Sequence, residues 1–113
     1  MITRKNEQKL TLRENMRDGN GTVQLTGLLS SLPANARLFS VIRLTPGTSI
    51  GYHIHENETE LFYFAEGCGR VCDDGEFYDV CAGDAMSTGS GHGHGVENTG
   101  DTDLVLVAAI VLD

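Results

Sequence analysis

Basic residues are scarce in this sequence. It has 8 Lys and Arg against 16 Asp and Glu, a formal net charge of −8, and the basic residues are scattered along the chain. Binding to nucleic acid or to an anionic membrane surface depends on concentrated positive charge. The composition therefore argues against nucleic-acid and membrane partners and favours a protein that acts on small molecules.

Long hydrophobic runs are also missing. The longest, Leu104 to Leu112, has nine residues and is too short to cross a bilayer as a helix. Residues 1–13 mix charged and polar side chains and lack the apolar core of a secretion signal. Together these features predict a cytoplasmic protein.

Cysteine is sparse, and its count is odd. Cys68, Cys72 and Cys81 do not form the even framework of a small secreted domain. Since the predicted compartment is reducing, we expect three free thiols.

What the chain does have is glycine and β-forming segments. Its 113 residues predict one domain over 1–113, with residues 1–20 as an N-terminal arm or edge strand. A short helix within residues 6–20 stays open. Fourteen glycines and roughly nine or ten short segments separated by turn signals predict an all-β sandwich or small barrel. Residues 103–112 lack polar alternation, so we expect both faces of that strand to be covered.

Asp74-Gly75 is a strong signal for a two-residue hairpin. Centred there, the register places Arg70 opposite Asp79, an oppositely charged pair that favours this alignment. The same register gives three further pairs: Val71 with Tyr78, Cys72 with Phe77, and Cys68 with Cys81.

The histidines fall in two pairs, His53-Ile54-His55 and His92-Gly93-His94. Residues two apart on a strand share a face, so His53 and His55 should project side by side. Glu60 begins the next predicted strand after a short turn, and an antiparallel partner would bring its carboxylate to the same point. A third imidazole from the glycine-rich stretch 89–95 would complete a set of three nitrogens and one oxygen. Such a set leaves one or two coordination positions open for water or substrate.

Two segments resemble the two motifs of the cupin superfamily. Gly47-x5-His53-x-His55-x4-Glu60-x6-Gly67 matches the first motif, at 47–67. Gly83-x5-Gly89-x-Gly91-x2-His94-x3-Asn98 matches the second, at 83–98, with Gly89 where the family usually has proline. The short interval between them is similar to that of small single-domain microbial cupins of the mannose-6-phosphate-isomerase-like type.

The resemblance implies an all-β double-stranded β-helix, the jelly-roll cupin barrel, around a metal site. The ligands it implies are His53, His55, Glu60 and His94, which would hold one divalent transition metal: Mn, Fe, Co, Ni or Zn. His92 lies outside the motif and is interpreted as a residue at the lip of the site. Because His94 follows a glycine-rich turn, we expect a flexible fourth ligand. We also expect a six-coordinate metal, on which four protein ligands leave two exchangeable positions.

Three functions remain open. The first is a metal-dependent enzyme acting on a sugar, a sugar phosphate or an oxygenated acid, of isomerase or epimerase, lyase or dioxygenase type; its catalytic residues are unknown. The second is a non-catalytic small-molecule binding or sensing module. The third is a barrel with a purely structural metal. Arg37 and Arg43 share a predicted strand face, but Leu38, Ile42 and Leu44 are the more natural inward residues, so neither arginine is predicted to bind substrate.

A homodimer is expected as well. A barrel of this size has exposed strand edges and a modest core, and the apolar strand 103–112 needs cover.

Overall fold

The computed structural model describes all 113 residues and contains ten strands. They are β1 Lys9–Glu14, β2 Thr22–Gly27, β3 Ala36–Leu44, β4 Ser49–Ile54, β5 Glu58–Glu66, β6 Cys68–Asp73, β7 Glu76–Cys81, β8 Ala85–Thr88, β9 Gly93–Glu97 and β10 Leu104–Leu112. The helical segments are two single 3₁₀ turns, Lys5–Glu7 and Met16–Asp18. The predicted all-β class is confirmed. No helix in the structure has the length and apolar character needed to span a membrane.

The strands form two antiparallel sheets. The larger sheet has the order β1-β2-β3-β10-β5-β8 and the smaller has β4-β9-β6-β7. Alternate side chains of both sheets point into one shared core: Val23, Leu25, Ile42, Leu44, Phe62, Phe64, Leu104, Leu106 and Ala108 from the larger sheet, with Ile50, Val71 and Val96 from the smaller. This is the double-stranded β-helix that the two motifs imply.

The hairpin at Asp74-Gly75 has the predicted register. Arg70 pairs with Asp79 and Cys68 with Cys81 across β6 and β7. The expectation of three free thiols is wrong, because Cys68 and Cys81 form a disulfide and Cys72 alone is free. Directly opposed strand residues can approach closely enough for a bridge, and the two Cα atoms are 4.0 Å apart.

The strand β10 is the centre of the larger sheet, between β3 and β5. One of its faces is buried in the core, where Leu106 and Ala108 are fully inaccessible. The prediction that both faces are covered is wrong for the single chain, since Val107 and Ala109 on the other face are only half-buried and Val111 is exposed.

Two irregularities place residues near the open end of the core. Where β10 pairs with β3, the register shifts between Ile110 and Val111. This shift leaves Arg37 of β3 without a partner on β10. A bulge of this kind redirects side chains relative to strict alternation. The second irregularity is the segment of residues 13–19, here called the strap, which begins with the last two residues of β1 and packs across β4.

Candidate metal centre

The four residues of the two motifs come together inside the barrel. One ligand atom from each of His53, His55, Glu60 and His94 lies within 4.8 Å of all the others. His55, Glu60 and His94 are buried and His53 is half-buried. The structure therefore gathers the whole predicted ligand set at one point.

The strands bring these side chains together in a way that differs in one respect from the prediction. His53 lies opposite His94 across the β4–β9 ladder, and His55 follows the end of β4. The expected pairing of β4 with the strand carrying Glu60 is wrong: β5 lies in the larger sheet and β4 in the smaller. Glu60 therefore reaches the histidines across the core, from the facing sheet.

Each histidine is held through its Nδ1 atom. His53 Nδ1 donates to the carbonyl oxygen of Gly51 at 2.8 Å, and His55 Nδ1 donates to the Glu58 carboxylate at 2.6 Å. His94 Nδ1 is 2.8 Å from the hydroxyl oxygen of Thr88. A carbonyl or a carboxylate can only accept, so the Nδ1 atoms of His53 and His55 carry the proton. The Nε2 atoms of these two rings are left with lone pairs, as metal ligation requires.

The chemistry of the converging atoms fits a cation. Nε2 of His55 and Nε2 of His94 are 3.0 Å apart, and Oε1 of Glu60 lies 3.1 Å and 3.0 Å from them. Lone pairs and a carboxylate oxygen at such distances repel one another unless a proton or a metal ion lies between them. A set of imidazole nitrogens with one carboxylate oxygen suits a divalent transition metal. The residues present could therefore hold one metal ion.

Glu58 is a supporting residue that the sequence interpretation missed. By position it belongs to the short turn predicted before Glu60, but it begins β5, is buried, and bonds both His55 and Arg37. Arg37 binds it through two nitrogen–oxygen contacts of 2.6 Å. The Arg37 guanidinium lowers the pKa of Glu58 to about 2, opposed by burial and assisted by the bond to His55. Glu58 therefore stays ionised and keeps the proton of His55 on Nδ1.

A stacked ring positions His94, and burial sets the protonation state of His53. Phe62 stacks on His94 with ring centroids 4.9 Å apart and planes at 12°. Burial lowers the pKa of His53, against a bond to Gly51, and the positive charge of Arg17 acts in the same direction as burial. His53 is therefore held in the neutral form that a metal ligand needs.

The predicted flexibility of His94 is wrong. His94 lies within β9, is 1% exposed, and bonds Thr88. The glycines around it serve packing instead: a Cβ at Gly93 would overlap the ring of Tyr52. His92 is outside the ligand cluster, where its exposed ring contacts Asp74.

A cavity of about 340 Å³ opens beside the four residues. About half of its lining is apolar, including Leu25, Leu38, Ile42, Ile50, Phe62, Val96 and Ile110. Three arginines also line it, Arg13, Arg17 and Arg37, together with Glu14 from the end of β1. Arg37 is thus directed to the cavity. Arg43 lies away from the cavity and pairs with Asp103, with a nitrogen–oxygen distance of 3.0 Å. The expectation that the face of Arg37 points away from the interior is wrong for this residue, because the bulge in β3 breaks strict alternation.

Comparison with known proteins identifies the family. The model of the cupin domain matches residues 40–110, well over half of the chain. The chain is a cupin. The oxalate-binding protein of Thermotoga maritima is 42% identical over 114 residues, which cover 99% of this chain and 94% of that protein.

Solved structures agree with this assignment of the cupin fold. The crystal structure of a predicted oxalate decarboxylase from Thermotoga maritima superposes with a TM-score of 0.94 at 42% identity and full coverage of both chains. The structure of KdgF from a Halomonas species matches with a TM-score of 0.82 at 16% identity, covering 100% of this cupin and 94% of that chain. The second match is evidence for the fold alone.

Proposed function

We propose that this cupin binds one divalent transition metal through His53, His55, Glu60 and His94, and binds a small oxygenated acid at that metal. Oxalate is the first candidate, since a relative with 42% identity over nearly the whole chain carries the name oxalate-binding protein. The observation that carries the proposal is the convergence of unprotonated nitrogens and a carboxylate oxygen on one point at the wall of a cavity.

The residues of the site have separable tasks. Glu58, Thr88 and the Gly51 carbonyl orient the imidazoles, and the cavity gives a small molecule access to the ligand atoms. A bound divalent ion would supply Lewis acidity and open positions for two oxygen atoms of the ligand. All four ligand side chains are attached to the barrel wall, and the cavity leaves space for a molecule of a few heavy atoms.

Calorimetric titration of oxalate into manganese-loaded and metal-free protein tests this proposal. We expect saturable binding at about one oxalate per metal in the loaded protein and none without metal. Loaded protein that binds neither oxalate nor a hydroxy acid would contradict the proposal and favour a structural metal, the third function considered above.

Catalytic turnover of such a ligand is the second candidate function, and the position of Glu14 in the cavity lining favours it. Glu60 is committed as a ligand and Glu58 is paired with Arg37 and His55, which leaves Glu14 as the cavity carboxylate without an ion-pair partner. Such a group could accept or donate a proton. In an enzyme of the lyase, isomerase or dioxygenase type, Glu14→Gln should abolish conversion while oxalate affinity changes little. If neither the wild type nor the Glu14→Gln variant converts any candidate acid or sugar phosphate, the protein is a binding module.

A homodimer is part of the proposal. The outer face of the larger sheet carries an apolar band in two adjacent rows, Tyr63–Val107–Val41 and Leu61–Ala109–Phe39. These side chains are exposed or half-buried in the single chain. A contiguous apolar sheet face of this kind is typical of an interface, and a second copy would supply a matching face through a twofold axis.

The cytoplasm is the proposed location, on the basis of composition. The Cys68–Cys81 disulfide is the observation against it, because disulfides are rare in a reducing compartment. Fractionation of the native host would decide, and recovery of the protein outside the cytoplasm would overturn this part of the proposal.

A further inference from the structure

Two arginines of the strap lie at the cavity without partners. Arg13 and Arg17 both line the cavity, and neither forms an ion pair with the protein, whereas the third cavity arginine, Arg37, is neutralised by Glu58. Both residues are exposed, so their guanidinium groups are free to bind an anion that enters the cavity.

The two arginines are held differently: Arg13 pairs with Val23 at the end of β1, and Arg17 lies in the irregular backbone that follows. Asn15, Arg17 and Asp18 all have positive φ, at 50°, 55° and 64°, a conformation that non-glycine residues rarely adopt. Backbone of this kind persists only where surrounding contacts fix it, and it concentrates at ligand sites.

The contacts that fix the strap reach β4, next to His53. The carbonyl of Arg17 packs on Gly51 and Gly19 packs on Ser49, both so closely that a Cβ on either glycine would overlap backbone. Asn15 donates from its side chain to the carbonyl of Gly19 at 3.1 Å. The strap therefore adopts an unfavourable backbone conformation, and this conformation brings Arg17 to the cavity, beside the proposed metal ligands.

The charge balance of the cavity indicates what the arginines would bind. Without metal, the three arginines of the lining are offset by Glu14, Glu60 and the Glu58 behind Arg37. A divalent ion would then add two positive charges that the protein does not compensate. A ligand carrying two negative charges restores neutrality, whereas a neutral sugar does not.

We propose that Arg13 and Arg17 select a small dianion, whose one end lies at the metal and whose second anionic group pairs with the strap. This inference rests on the proposed function and narrows its substrate class from sugars and acids in general to dianionic acids and phosphate esters. Arginine matches both groups, because its planar fork binds carboxylate and phosphate through two parallel hydrogen bonds. The strap lies outside residues 40–110, which match the cupin domain.

The test compares ligands of different charge on manganese-loaded protein. Arg13→Gln and Arg17→Gln are titrated with oxalate, with mannose 6-phosphate as a dianionic phosphate ester, and with glycolate as a monoanionic chelator. Arg70→Gln is the matched control, since Arg70 lies on the outer face of the smaller sheet and stacks on Phe77 with its guanidinium 4.0 Å from the ring centre. Metal content and the circular dichroism spectrum of each variant establish that it is folded and loaded.

We expect each strap variant to bind the preferred dianion about tenfold more weakly, the loss typical of one charged hydrogen bond, with glycolate affinity nearly unchanged. Whichever of oxalate and mannose 6-phosphate shows that loss identifies the anionic group. Strap variants that bind every ligand as the Arg70→Gln control does would overturn the inference, as would equal losses for glycolate and the dianions. If the wild-type protein binds no ligand at all, the proposed function fails instead.

Discussion

At the scale of single residues, the site depends on what holds each Nδ1 atom. Glu58 has the central role, because it bonds His55 and is itself held by Arg37. Glu58→Gln should weaken metal binding by about 10- to 100-fold, the usual effect of removing a carboxylate that orients a ligating histidine. Competition with a fluorescent chelator would measure this. Glu56→Gln is the control, since Glu56 is exposed, and an equal affinity in both variants would contradict this role for Glu58.

The depressed pKa of Glu58 predicts that the stability contributed by this residue depends on pH. Its pKa falls from an ordinary 4.5 to about 2, so its ionised form stabilises the fold above pH 4.5. That contribution is lost as the pH falls towards 2, where Glu58 becomes protonated. Metal-free wild type should therefore unfold at a higher temperature than Glu58→Gln at pH 6, with the difference shrinking between pH 4.5 and pH 2. A difference independent of pH would be inconsistent with this pairing.

The four residues of the cluster could be predicted from the sequence, but the residues that support them could not. His53, His55, Glu60 and His94 stand at fixed spacings within two short motifs, so local pattern is enough to find them. Glu58 bonds His55 three residues before it and Thr88 bonds His94 six residues after it, but neither contact follows from a strand pattern, because each depends on how the intervening turn folds. In the sequence, the first looked like part of a turn and the second like an ordinary strand residue.

At the scale of elements, the strap and the bulge in β3 escaped prediction for a related reason. Alternation assigns Arg37 and Arg43 to one face, but the register shift opposite Arg37 separates them. The strap has left-handed backbone at non-glycine residues, which no composition rule indicates. The hairpin register, in contrast, was predictable, because Asp74-Gly75 dictates it locally.

The packing of the strap on β4 can be tested at Gly51. In Gly51→Ala the new methyl group would overlap the Arg17 carbonyl, so the strap must move. We expect a loss of roughly 1–3 kcal/mol in the free energy of unfolding. Trypsin should also cleave faster after Arg13 and Arg17, as mass spectrometry would show. Gly89→Ala is the control, because its nearest neighbour would be 3.8 Å away; equal cleavage of both variants would contradict the packing.

The disulfide across the β6–β7 hairpin can be tested by counting free thiols. Titration of thiols in denaturant without reductant should find one thiol per chain, from Cys72, and none in Cys72→Ser. Reduction should raise the wild-type count to three. Three thiols before reduction would contradict the disulfide.

At the scale of the whole molecule, the exposed band on the larger sheet predicts association. Light scattering at micromolar concentration should return twice the chain mass of 12.2 kDa. Leu61→Lys should shift the mass towards the monomer, because it places a charge in the band. Phe77→Lys, which changes an even more exposed apolar residue on the smaller sheet, should not. A wild-type mass of 12.2 kDa would rule out the dimer.

Metal stoichiometry tests the central claim most directly. Protein loaded with manganese and dialysed should contain about one ion per chain by elemental analysis. His53→Ala and His94→Ala should contain almost none, while His92→Ala, whose ring lies outside the cluster, should retain the full amount. Because His53 is only half-buried, its variant should remain folded by circular dichroism. Equal metal content in the wild type and in folded His53→Ala and His94→Ala would contradict the assignment of the site.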